Sequence, residues 1–112
     1  MYKRQADTAR ALADLTGLEV TTDPELRELH AGAWEGLLHR QIEQSWPDMH
    51  AAWRAGEDVR VGGGERRSEV GRRVAAAVRR YAQECPDGGT LVVASHSGAL
   101  RSAVLELSLI HI

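Results

Sequence analysis

In some segments of the chain the apolar residues recur with the period of a helix, and in others they form short uninterrupted runs. The longest helical stripe lies within residues 65–85 and predicts one amphipathic helix, with these apolar positions: Val70, Val74, Ala77, Val78, Tyr81, Ala82 and Cys85. The apolar run at residues 91–94 predicts a buried parallel strand, because a strand covered on both faces needs no polar alternation. A helix follows this run, with one side formed by Leu100, Ala103, Val104 and Leu107.

The first half of the chain predicts shorter elements. A helix is expected over residues 5–15, with Gly17 as its C-terminal cap and these residues towards the core: Ala9, Leu12 and Ala13. Residues 18–22 alternate as a strand does. Residues 25–36 predict a loop with a turn or two of helix. Two short helices separated by Pro47 are predicted next. The apolar face of the first has Leu38, Ile42 and Trp46, and that of the second has Met49, Ala52 and Trp53. Helices alternating with strands predict an α/β fold in a single domain over residues 1–112.

Composition narrows the function classes. The 112 residues are 43% hydrophobic and 27% charged, with a formal charge of −2, which gives no overall case for a nucleic-acid or membrane partner. The single cysteine, the absence of a leader pattern and the absence of a bilayer-length apolar run favour a cytoplasmic protein. The histidines lack zinc-site spacing, and the glycine-rich loop at residues 56–64, expected to be flexible, is no P-loop. We therefore expect no metal and no cofactor.

The arginines and tryptophans are expected in opposite environments. The helical arginines are expected in solvent (Arg72, Arg73, Arg79 and Arg80), and the tryptophans in the core (Trp34, Trp46 and Trp53).

The candidate chemistry lies between the apolar run and the last helix, in Ser95, His96, Ser97 and Gly98. The carboxyl end of a buried strand and the N-terminus of the following helix are where α/β proteins bind anions. A histidine there can bind phosphate or transfer protons near neutral pH. A serine hydrolase with Ser97 as nucleophile is disfavoured, because only Glu106 and His111 follow as partners.

Four segments, in order, resemble the histidine phosphatase (phosphoglycerate-mutase-like) superfamily. Arg4 precedes a Thr-Ala pair by four residues, and Glu28 precedes the run Gly-Ala-Trp-Glu-Gly. Gly64 and Glu65 resemble the Gly-Glu-Ser start of the long helix, with arginine in place of the serine, and residues 93–101 resemble the second histidine motif. The resemblance implies a three-layer α/β/α sandwich with a mostly parallel sheet.

The resemblance also implies a role for each matched residue. Arg4 would grip phosphate oxygens bidentately, and His96, Ser97 and Gly98 would complete the phosphate site. Glu28 would protonate the leaving alkoxide and then accept a proton from the water that cleaves the phospho-enzyme. The expected function is phosphomonoester hydrolysis through a phosphohistidine, acting on a small phosphorylated substrate. Mutase-type phosphoryl transfer is the alternative.

The family's opening strand, which ends in Arg-His-Gly and supplies the nucleophile, has no counterpart among residues 1–112. We therefore expect the chain to begin after that segment, to be inactive alone, and to self-associate through a bared strand edge at residues 91–94. A non-catalytic phosphate-binding or interaction remnant is the competing interpretation. The tail at residues 108–112 stops without an obvious partner and is expected to be foreign to the family pattern.

Overall fold

The computed structural model describes the backbone of residues 2–109 and the side chains of residues 7–108. This part of the chain contains five α-helices: α1 (Tyr2–Thr16), α2 (His39–Ser45), α3 (Pro47–Arg54), α4 (Arg67–Glu84) and α5 (Ser97–Leu109). Three short 3₁₀ turns lie between them, at Pro24–Leu26, Gly32–Trp34 and Val61–Gly63. The helices predicted at residues 5–15, 65–85 and after the Ser-His-Ser-Gly run are confirmed. Gly17 caps α1 as predicted, donating its N–H to the carbonyl of Ala13 at 2.7 Å.

The first core lies between α4 and α5. Val70 and Val74 are fully buried there, against Ala99 and Ala103 of α5. The two helices approach closely at Gly71, where a Cβ would lie 2.6 Å from the carbonyl oxygen of Ser102. This contact therefore depends on the smallest side chain. The predicted stripe of α4 is confirmed except at Ala82, which is exposed. Val104, expected on the inner side of α5, is 61% exposed.

A second, aromatic core joins α2 and α3 to the two 3₁₀ turns that follow residue 31 and residue 60. Trp34, Ile42 and Val61 are buried, and the other two tryptophans pack around them, as predicted. His50 is also buried here, with its ring 6.2 Å from that of Trp34. Leu29 packs against both cores, so the residue next to Glu28 is anchored between them.

The predicted strands are not confirmed. No residue between 2 and 109 belongs to a strand, and in this part of the chain no backbone hydrogen bond joins residues 18–22 or 91–94 to another segment. A strand exists only as part of a hydrogen-bonded ladder, so an apolar run without a pairing partner stays irregular. The side of α1 expected to face a core instead lines an open cavity together with these two segments, and Leu12 is 41% exposed.

Two further expectations differ from the structure in part. The loop at residues 56–64 is packed near its end, where the backbone of Gly62 and Gly64 lies against residues 30–34, whereas a Cβ on Gly56 or Gly63 would meet nothing within 4 Å. A Cβ on Gly62 would overlap the carbonyl oxygen of Ala31, and one on Gly64 would overlap that of His30. Arg73 is not solvated, since only 11% of its side chain is exposed. Arg79 is half-buried and not exposed as expected, whereas Arg72 and Arg80 are exposed as predicted.

Candidate active site

The segment that carries Glu28 crosses the N-terminus of α5. Ser95 donates from its hydroxyl to the carbonyl oxygen of Leu26 at 2.5 Å, and the N–H of Gly98 donates to Glu28 Oε2 at 3.2 Å. The other carboxylate oxygen, Oε1, accepts the N–H of Leu29 at 2.9 Å. A carboxylate is favoured at this position because the first N–H groups of a helix lack partners within the helix and carry partial positive charge.

Gly98 makes this approach possible. A Cβ at residue 98 would lie 2.7 Å from Glu28 Oε1 and 3.1 Å from the carboxyl carbon. Real side chains do not come this close, so any larger residue displaces the carboxylate. Glu28 and Gly98 are thus brought together, from positions that are distant in the sequence.

His96 lies on the other side of the same helix start. Its side chain is buried, and its carbonyl oxygen accepts the first helical hydrogen bond, from the N–H of Leu100 at 2.9 Å. Within residues 7–108, no group hydrogen-bonds to the His96 imidazole. Ser97 begins α5 and is exposed. The fourth predicted phosphate ligand, Arg4, has its side chain outside the described residues.

Two cavities flank the start of α5. One, of about 520 Å³, is lined by Glu28 and Gly98, by an aromatic wall containing Trp34, Trp53 and His39, and by two cations, Arg67 and Arg101. The other, of about 720 Å³, lies between α1 and residues 91–96 and is lined by His96. Both volumes fall in the range of small-molecule sites. The helix start therefore presents Glu28 to one cavity and His96 to the other.

Asp23 anchors the segment that leads to Glu28. One carboxylate oxygen accepts the N–H of Glu25 at 2.9 Å, and the other accepts the Tyr81 hydroxyl at 2.8 Å and the Arg80 guanidinium at 2.5 Å. These bonds, the one from the Glu25 N–H above all, lower the pKa of Asp23 below its ordinary value. Because α4 carries both Arg80 and Tyr81, the segment is fixed to the longest helix.

The sequence interpretation missed several of these groups. Ser95, Asp23 and Arg73 all bind the Glu28 segment, and none was singled out for it. Asp23 stands before Pro24, which is a recognisable start of a turn, so its cap could have been predicted. The partners of Arg73 could not, because they lie more than forty residues away.

Within residues 2–109, no helix is both long enough and apolar enough to cross a membrane. Over the same part of the chain, no group of three or more His, Cys, Asp or Glu side chains is arranged to hold a metal ion.

Comparison with known proteins decides the family. The histidine phosphatase superfamily (branch 1) matches residues 1–112. The chain belongs to this superfamily. Glucosyl-3-phosphoglycerate phosphatase of Mycobacterium tuberculosis is 36% identical over 94% of this chain and 52% of the relative. A probable phosphoglycerate mutase of Yersinia enterocolitica is 39% identical over 93% of the chain and 50% of the relative.

A solved structure gives the same result for the fold. The native structure of the mycobacterial glucosyl-3-phosphoglycerate phosphatase superposes on this chain with a TM-score of 0.80 and 35% identity. The match covers 98% of the chain and 55% of the solved structure. The chain therefore spans about half the length of the relatives it matches, and over that half it has the fold of a histidine phosphatase.

Proposed function

We propose that this chain is part of a phosphatase that hydrolyses phosphomonoesters through a phosphohistidine, with Glu28 as proton donor. The observation that carries the proposal is the placement of the Glu28 carboxylate over Gly98, at the N-terminus of α5. A phosphoryl group bound at such a helix start would place its leaving oxygen beside a carboxyl group able to protonate it.

Every role except that of the nucleophile then falls to a residue of this chain. Arg4 and His96 bind the phosphoryl oxygens and offset the charge that develops on them. The negative charge of the bound phosphate favours a protonated Glu28 beside it. The nucleophilic histidine attacks phosphorus as the ester P–O bond breaks, and Glu28 gives its proton to the departing alkoxide. Water then attacks the phosphohistidine, Glu28 takes back a proton, and phosphate leaves. The buried imidazole of His96 supports its proposed role in binding phosphate, since within residues 7–108 no other group forms a hydrogen bond with it.

The nucleophile is proposed to come from an Arg-His-Gly strand that precedes residue 1, and we call the protein with this strand the complete domain. The 720 Å³ cavity between α1 and residues 91–96 supports this placement. Its walls include the apolar run at residues 91–94, whose backbone would pair with the added strand to begin the parallel sheet. Without the strand, the 112-residue chain is proposed to be inactive and to self-associate through this edge.

We prefer hydrolysis over mutase chemistry because the path from Glu28 to His96 is short, and the family resemblance implies extra segments at this place in mutases. The 520 Å³ cavity beside Glu28 is proposed to hold the leaving group of a small phosphorylated substrate. The mycobacterial relative, by its name, acts on a phosphorylated glucosyl glycerate. An aromatic wall beside two arginines suits a related polar anion.

The test is phosphate release from p-nitrophenyl phosphate by the complete domain in the presence of EDTA. We expect turnover without added metal. Arg4→Ala and His96→Ala should each cost about 2–4 kcal/mol of transition-state stabilisation, as the loss of an oxyanion donor does. Arg72→Gln, on an exposed face of α4, is the matched control and should leave turnover unchanged. Strict dependence on a divalent ion would refute this mechanism.

The 112-residue chain provides the second arm. It should bind phosphate weakly, at about millimolar affinity, and show no turnover, and its apparent mass by sedimentation should rise with concentration. A stable monomer that hydrolyses phosphate esters would mean that a residue of this chain is the nucleophile. A complete domain that binds phosphate without turnover would instead favour the non-catalytic remnant.

A further inference from the structure

Arg73 of α4 binds the backbone that carries Glu28. Its Nη1 donates to the carbonyl oxygens of Glu25 at 2.6 Å and Arg27 at 2.9 Å, and its Nη2 donates to that of Glu28 at 3.1 Å. Hydrogen bonds from a charged donor are stronger than neutral ones, and the planar guanidinium can serve several acceptors in fixed directions. One side chain therefore fixes the segment up to and including the proposed proton donor.

Glu65, just before α4, binds the backbone of His30, two residues after Glu28. Its Oε1 accepts the N–H of His30 at 2.9 Å, and its own N–H donates to the carbonyl oxygen of His30 at 2.8 Å. The backbone up to Glu28 is thus held by the cation Arg73, and the backbone after Glu28 is held by the anion Glu65. None of these hydrogen bonds involves the Glu28 carboxylate, which remains available to Gly98.

The two holding groups are themselves paired. Arg73 Nε donates to Glu65 Oε2 at 3.0 Å and Arg73 Nη2 donates to Glu65 Oε1 at 2.9 Å, with 11% and 18% of the respective side chains exposed. The hydrogen bond from Arg73 lowers the pKa of Glu65 below its ordinary value, despite partial burial. The ion pair between Arg73 and Glu65 keeps each side chain in the orientation that its hydrogen bonds to the backbone require.

We propose that Arg73 and Glu65 are positioning residues that hold the Glu28 carboxyl group at the start of α5. A lysine at residue 73 keeps the charge but has no planar fork, so it could not serve the carbonyls and the carboxylate together. The consequence for turnover depends on the proposed function above. The positioning itself does not, because the contact between Glu28 and Gly98 can be measured without catalysis.

The first experiment uses ¹⁵N-labelled 112-residue chain and follows the Gly98 amide resonance from about pH 7 to about pH 3, across the usual carboxyl range. Protonation of Glu28 should shift this resonance, and Glu28→Gln, which does not titrate, gives the baseline. In Arg73→Lys the shift should fall towards that baseline, whereas Arg72→Gln, changed at the neighbouring exposed position, should keep it in full. Circular dichroism verifies that each variant retains its helices.

An Arg73→Lys variant that folds and keeps the full Gly98 shift overturns the proposal. If Arg73→Lys does not fold, Glu65→Gln decides by the same criterion, because it preserves the shape of the side chain while weakening its pairing with Arg73.

The second experiment compares leaving groups in the complete domain. Arg73→Lys should lower kcat roughly tenfold to hundredfold for an alkyl phosphate, the effect of a slightly misplaced catalytic group. It should change kcat for p-nitrophenyl phosphate much less, since p-nitrophenolate needs no proton, and KM should change little for both. Equal slowing of both substrates would mean that Arg73 supports the whole site and not Glu28 alone. A complete domain without turnover refutes the proposed function and leaves the Gly98 titration as the test of positioning.

Discussion

The contact between Gly98 and Glu28 predicts a stability change whose sign depends on the residue at position 28. Alanine at residue 98 removes the room for the carboxylate, since its Cβ would lie 2.7 Å from Glu28 Oε1. Alanine in a helix is favoured over glycine by about 1 kcal/mol. The lost hydrogen bond to a charged acceptor costs about 1.5–3 kcal/mol. Gly98→Ala should therefore destabilise the chain by about 0.5–2 kcal/mol, the difference between these two effects.

The same substitution should stabilise a chain that already carries Glu28→Ala. With the carboxylate gone, nothing opposes the helix preference, and Gly98→Ala should gain up to about 1 kcal/mol. The coupling between the two sites is then about 1.5–3 kcal/mol, measured as a double-mutant cycle by urea unfolding followed at the helical circular dichroism band. Equal effects of Gly98→Ala in both backgrounds would refute the geometry of the site.

Three further predictions concern stability. Val74→Ala should cost about 2 kcal/mol in urea unfolding, because a fully buried side chain loses two methyl groups between α4 and α5; a loss below half of that would mean a loosely packed core. Asp58→Ala should cost about 1 kcal/mol, because Asp58 caps α4 from outside through the Ser68 N–H (3.1 Å) and hydroxyl; an unchanged midpoint would contradict the cap. The pKa values of Asp23, Asp58 and Glu65 are lowered in the folded chain, chiefly by their hydrogen bonds to Glu25, Ser68 and Arg73 respectively. These three carboxylates therefore stabilise the fold in full above their ordinary pKa values of 3.8 and 4.5, and the stabilisation is lost as pH falls through their lower pKa values in the folded chain. The urea midpoint should fall with acidification, and a midpoint that does not depend on pH would contradict these contacts.

The helices were predictable because their information is local. The helical pattern within residues 65–85 predicted α4 to within two residues at each end, and Gly17 and Pro47 marked real boundaries. The strands were not, because an apolar run such as residues 91–94 becomes a strand only when another chain segment offers it hydrogen bonds.

The candidate site was predictable only in part. The resemblance paired Glu28 with the Ser-His-Ser-Gly run, and the structure brings Glu28 to Gly98. The helical pattern placed Arg73 outside the apolar stripe, which is correct, and assigned it to solvent, which is wrong. Its acceptors are backbone carbonyls of a loop, and carbonyls leave no trace in side-chain periodicity. The aromatic wall beside Glu28 was expected only as core, since residues of the aromatic core also line the cavity.

The most direct test of the account is the leaving-group dependence of Glu28→Gln in the complete domain. Glutamine keeps one oxygen for the Gly98 N–H, but its amide NH₂ can neither accept the Leu29 N–H nor act as an acid. The loss of that one hydrogen bond should slow both substrates alike, so the difference between them measures the acid role. Turnover of an alkyl phosphate should fall by roughly a hundredfold or more, and turnover of p-nitrophenyl phosphate should fall far less, because general acid catalysis contributes about 10²–10⁴-fold only where the leaving group needs a proton. Equal slowing of the two substrates would contradict the assignment of Glu28 as proton donor.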